Sequence, residues 1–189
     1  ASKVFLVLSV VISVGLLGYF KYADFMIGNF NAVTGLSVPL LKIALPVGIS
    51  FYTFQALGYS IDVYRGTIKA EKNPFRYALF VLFFPQLVAG PIERADNLLP
   101  QMQKPTYFDI DNLQKGLLIM GWGMFMKVVI ADRLSIFVDN VYNGYAQADG
   151  AMLLLATVLF ALQVYCDFAS YSVIALGAAK TLGFNLMRN

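Results

Sequence analysis

The sequence predicts an all-α integral membrane protein, with several transmembrane helices and a Pro- and Gly-broken segment that enters the bilayer and turns back. Three observations predict it. Hydrophobic residues fill 59% of the 189 positions and charged residues only 13%, against about 45–50% and about 25% in a soluble domain. Too few charges remain to coat a water-soluble body of this size. Uncharged runs recur with lengths close to the about 20 residues that a helix needs to cross a hydrocarbon core of about 30 Å. Aromatic residues reach 15%, and Trp and Tyr gather where membrane meets water.

The elements follow in order within a single domain, 1–189, without repeats or low-complexity tracts. VFLVLSVVISVGLLGYF, residues 4–20, is uncharged and at about 1.5 Å per residue nearly covers the core. Tyr19 and Tyr22 flank Lys21 at its end, as interfacial residues do. The run lacks a small-residue cleavage site followed by a soluble domain, so it reads as a span and not a signal peptide. Residues 28–37 connect it to a second span at about 43–63, whose LPVG at 45–48 marks a turn or kinked entry. Then comes a basic loop. YALFVLFFPQLVAGPI, residues 77–92, carries Pro85, Gly90 and Pro91 within seven positions, which a continuous helix tolerates poorly. In lipid a broken backbone survives only where protein or a water-filled cavity satisfies it, so 77–92 reads as re-entrant, with a helix breaking at Pro85. A polar stretch, 93–112, ends where Asp109 or Asp111 caps the next span, about 112–138. An acidic loop, 139–150, precedes the last span, about 151–182.

Charge gives the orientation. Arg65, Lys69, Lys72 and Arg76 crowd the loop 65–76, while 139–150 holds neither Lys nor Arg. The positive-inside tendency places the first loop in the cytoplasm and the second outside, and Lys180 and Arg188 fall inside with the first. The chain is expected to be a multi-pass membrane protein, with membrane lipid as its first partner.

Several function classes are excluded. The net charge of +3 is small and scattered, so nucleic acid is not an expected partner. There is no histidine, the commonest general base and metal ligand. A lone cysteine, Cys166, forms no internal disulfide, and no metal site is expected. Cys166 lies in an apolar setting without a histidine partner, and packing suits it better than nucleophilic chemistry.

Candidate chemistry centres on LQVYCDFASYSVIALG, residues 162–177, whose single charge is Asp167. An acid at a helix centre in lipid costs about 2.5–3.5 kcal/mol on insertion scales, so this one should face protein or water. Gln163, Ser170 and Tyr171 stand four before, three after and four after it, which makes one polar stripe. The stripe reads as the wall of a substrate passage, or else as an interhelical hydrogen bond or ion pair to Lys127 or Arg133. Gln86, Gly90 and Pro91 at the broken segment are further passage-lining candidates, with Glu93 and Arg94 as polar loop candidates beside them. Lys127, Asp132 and Arg133 are spaced i, i+5 and i+6, which gives no shared face on an α-helix, and no chemistry is assigned to them.

Four phrases taken together carry a resemblance: LPVGISFYTFQALGYSIDVYRG, FVLFFPQLVAGPIERADNLLPQ, KVVIADRLSIFVDNVYN and QVYCDFASYSVIALGAAKTLGFNLMRN. In this order and over nearly the whole chain they resemble the membrane-bound O-acyltransferase (MBOAT) family, in its alginate O-acetyltransferase-like branch. The resemblance implies transfer of an acyl group, usually acetyl, from a cytoplasmic thioester donor such as acetyl-CoA to a hydroxyl of a cell-surface polysaccharide. An extracytoplasmic acetyl-transfer partner protein is implied too. The family's histidine would follow Asn189, so the chain is expected to be a central piece of a larger protein, inactive by itself. Where many relatives have a second carboxylate this chain has Val173, and that group's role does not carry over. The DFA phrase at 167–169 is shared with D-alanyl transferases acting on teichoic acid, which leaves that activity as an alternative. A transporter or channel segment is another, since an acid beside broken helices also suits ion passage.

Overall fold

The computed structural model describes residues 3–87, 90–91 and 93–187, apart from the side chain of Leu87. Val88, Ala89 and Ile92 of the broken segment, and Arg188 of the charge argument, lie outside the described residues. Among the described residues the regular structure is helical throughout, with no strand. The chain forms two compact units, residues 1–83 with 94–102, and residues 84–93 with 103–189.

In the first unit, α1 runs from Lys3 to Thr34. It passes straight through Lys21 and Asp24, beyond the Phe20 at which the apolar run ends, because no residue there interrupts the hydrogen-bond ladder. Gly35 ends it: its φ of 72° is left-handed, and its N–H donates to the Asn31 carbonyl at 2.9 Å. The strap that follows is tied back to α1. The Asn31 side chain bonds both backbone groups of Val38, and the Asp24 carboxylate accepts the N–H groups of Leu41 and Lys42 at 2.7 and 3.0 Å. Lys42 takes a φ of 49° there, an uncommon state for a residue other than glycine.

Helix α2, Ile49–Arg65, starts after the left-handed Gly48 and stops at the left-handed Gly66. Residues 43–48, expected to belong to the second span, lie outside the helix, consistent with Pro46 lacking an N–H and Gly48 reversing the backbone. Ser9 and Ser60 hydroxyls meet at 2.8 Å between α1 and α2. Helix α3, Pro74–Val81, has Pro74 in its first turn and Asn73 as cap, accepting from the Phe75 N–H at 2.9 Å. The break expected at Pro85 falls four residues earlier. A proline lacks the N–H for the carbonyl four before it and its ring collides with that group, which is Val81's. The buried Gln55 donates to the Phe80 carbonyl at 2.9 Å and so ties α2 to α3. The polar stretch 93–112 contains an unexpected helix, α5, Ala95–Met102, and Leu98 and Leu99 are buried.

The second unit contains the four-residue helix α4, Phe84–Leu87, and a long helical hairpin. Its first arm is α6, Ile110–Phe125, a π-turn, Met126–Ala131, and α7, Asp132–Asn143. Asp109, one of the two expected caps, accepts from the Asp111 N–H at 2.9 Å. The second arm is α8, Gly150–Thr181, capped by Asp149, which accepts from the Met152 N–H at 2.7 Å. All three parts of the first arm pack on α8. Three glycines let the arms approach: a methyl group built on Gly116 or Gly177 falls 2.7 Å from the other's carbonyl oxygen, and one on Gly123 falls 3.0 Å from the Ser170 carbonyl oxygen. In lipid, where apolar burial drives little, such small-residue seams let van der Waals contact and polar pairs hold helices together.

Candidate functional site

The polar stripe of α8 faces the first arm of the hairpin. Asp167 accepts a charge-assisted hydrogen bond from Lys127 Nζ at 2.5 Å, and the same ammonium lies 2.9 Å from an Asp132 carboxylate oxygen. The Tyr171 ring sits beneath it, 5.4 Å from Nζ to centroid, at a distance that suits a cation–π contact. One cation thus serves two carboxylates, and the cluster keeps a net negative charge. It is not sealed: side-chain exposure is 27% for Lys127, 39% for Asp167 and 49% for Asp132.

The ion pair to Lys127 named as one alternative is therefore present, while Asp132 joins it against expectation. Spacing of i, i+5 separates two residues by about 140° on an α-helix of 3.6 residues per turn. The π-turn removes that separation. Its hydrogen bonds run from residue i+5 to residue i, and the Asp132 N–H donates to the Lys127 carbonyl. Sequence periodicity could not reveal this, because it assumes a regular α-helix throughout.

The other candidates are distributed as follows. Ser170 is fully buried, and its hydroxyl donates to the Asp167 backbone carbonyl at 2.7 Å. Gln163 has its carbonyl oxygen buried without a hydrogen-bond donor among the described residues. Cys166 is buried, in keeping with a packing role. At the broken segment Gln86, Gly90, Pro91 and Glu93 are buried and Arg94 is exposed. The chain folds tightly there, for a methyl group at Gly90 would collide with the Gln86 backbone. Glu93 accepts from the Met187 N–H at 2.7 Å, which pins the segment after α8. Helix α4 also packs on α8. A separate groove of about 900 Å³ follows α8 along Tyr165, Phe168 and Leu176 to Lys180, and is closed by Phe184 and Leu186. Ser172 and Val173 reach it, but the seven passage candidates do not line it.

Among the described residues two helices, α1 and α8, are long and apolar enough to cross a membrane. No protein-family model matches the sequence. Individual proteins do. The chain is 38% identical over 193 residues to the probable alginate O-acetylase AlgI of Pseudomonas aeruginosa, covering 100% of this chain and 37% of that protein. It is 33% identical over 210 residues to the peptidoglycan O-acetyltransferase of Helicobacter pylori, covering 97% and 40%. To the teichoic acid D-alanyltransferase of Streptococcus thermophilus it is 27% identical over 143 residues, covering 72% and 34%. With its apolar helices the chain suits a membrane protein, and the relatives it matches are named as acyltransferases. These relatives are of the membrane-bound O-acyltransferase type, and the chain spans well under half of their length.

Proposed function

We propose that the chain is part of a multi-pass inner-membrane enzyme that moves an acetyl group from a cytoplasmic thioester, acetyl-CoA or a similar donor, to a hydroxyl of a cell-surface polysaccharide. The observation that carries this reading is similarity over the full chain to two O-acetyltransferases that share an acceptor class, alginate and peptidoglycan being both polysaccharides. The reaction forms a C–O bond and breaks the C–S bond of the thioester, while the hydroxyl proton leaves through a base and the sulfur departs as thiol. A charged, half-open cluster on a helix suited to lipid supports a wet passage beside α8, since ionised groups do not remain against hydrocarbon. Residues 1–189 contain no histidine, and alone they transfer no acyl group in this reading. An extracytoplasmic partner completes delivery to the polymer.

Membranes containing the protein as the cell makes it, supplied with acetyl-labelled thioester on the cytoplasmic face, should pass label to polysaccharide. Retention of the label on the thioester refutes the proposal. Transfer of D-alanine to teichoic acid is the second reading, favoured by the 27% identity to the D-alanyltransferase. Release of label from an alanyl donor and not from an acetyl donor would establish it. Ion uptake without loss of acyl groups would instead establish a transporter.

A further inference from the structure

Among the described hydrogen bonds, the one that reaches the Asp167 carboxylate comes from Lys127, because Ser170 is spent on the backbone carbonyl. Lys127 is itself a long, flexible side chain, and a single ion pair would leave it many rotamers. Two further contacts limit it: Asp132 at 2.9 Å and the Tyr171 ring. The first exists only because residues 126–131 are wound as a π-turn, a feature that often marks functional sites.

We propose that Lys127 is a positioning residue for Asp167, and that the π-turn is the device that aims it. Asp132 and Tyr171 fix the ammonium, and the ammonium fixes the carboxylate at the half-open surface of the hairpin. This rests on the acyltransferase reading for its consequence in catalysis, but its geometry can be tested separately.

Two measurements on the complete membrane-embedded protein decide the matter. In the first, Lys127→Met lowers the acyl-transfer rate by about ten- to a hundredfold, the range that a misplacement of about 1 Å produces. KM for the thioester should stay within about twofold, since Lys127 acts through Asp167 and not by uniform substrate binding. Lys127→Arg, which keeps a cation able to reach two carboxylates, recovers most of the rate. A wild-type rate in Lys127→Met overturns the proposal. So does a loss of rate that follows loss of folded protein equally in the Met and Arg variants. In the second measurement, a water-soluble carbodiimide without added amine should join Lys127 to Asp167 or Asp132 through an amide, read as a cross-linked peptide by mass spectrometry. Absence of that peptide from the unmodified protein overturns the proposed geometry. A cross-link in a protein that transfers no acyl group refutes the acyltransferase reading and leaves the positioning of Asp167 standing.

Discussion

Replacing Gly177 by alanine tests the seam on which the candidate site is built. The new methyl carbon would lie 2.7 Å from the Gly116 carbonyl oxygen and 2.7 Å from the Met120 nitrogen, where ordinary contact begins at 3.4 Å. Both are backbone atoms of α6, so no side chain can swing away, and the two arms must part. Overpacking of this kind costs about 1–3 kcal/mol. Alanine recovers part of that, up to about 1 kcal/mol, through its better helix propensity. A net loss of roughly 1–2 kcal/mol is expected, and Gly121→Ala supplies the control. Gly121 lies on α6, the facing helix, with nothing within 4 Å of its would-be methyl, so only the propensity gain operates there. The assay is the thermal midpoint of the detergent-purified protein, together with acyl transfer. The Gly177 variant should melt below the wild type and the Gly121 variant at or above it. Equal midpoints for the two variants refute the argument that backbone contact holds the hairpin.

Three smaller predictions accompany it. Asp149→Ala removes the α8 cap bonded to Met152 and should cost about 1 kcal/mol, seen as a lower thermal midpoint, with Asp149→Ser recovering most of it. Asp24→Ala frees the amides of Leu41 and Lys42, whose hydrogen exchange should accelerate while that of the α2 core stays unchanged. In the complete protein, Asp167→Asn should reduce acyl transfer far more than the amount of protein inserted, and Asp132→Asn should do so less severely. Equal loss of transfer and insertion would make Asp167 a structural tie and no more.

The helical class was legible, and so were those helix ends whose signals are local. Asp109, one of two caps expected, and Pro85 against a continuous helix each act within about four residues, whereas the Asp149 cap and the Gly66 stop were not singled out. The errors of extent share a cause. The run 4–20 ends at a charge, but Lys21 and Asp24 are good enough helix residues, and the turn chemistry that ends α1 waits until Gly35. Helix α5 was hidden in a polar stretch, since eight residues with Pro100 inside give too short a pattern to recognise. The site was half legible. Asp167 stood out by its cost in lipid, and its partner Lys127 was one of two cations named. Asp132 was set aside because the π-turn adds a residue that no periodic reading includes.

Charge arithmetic bears on what the cluster is for. A lone Lys127–Asp167 pair would be neutral, and a neutral pair suffices to tie two helices inside a membrane. Adding Asp132 makes the cluster negative overall, which raises the cost of surrounding it with hydrocarbon. Burial does not offset that cost, since Asp132 and Asp167 keep 49% and 39% of their side-chain surface open. A tie selected for stability alone would have the opposite character, neutral and closed. The combination present is tolerable where water or a polar ligand reaches the carboxylates, and the glycine seam beside it supplies the rigid frame such a surface needs. The glycines thus hold the hairpin together, and in the proposed acyltransferase the ionic cluster is the face turned away from lipid.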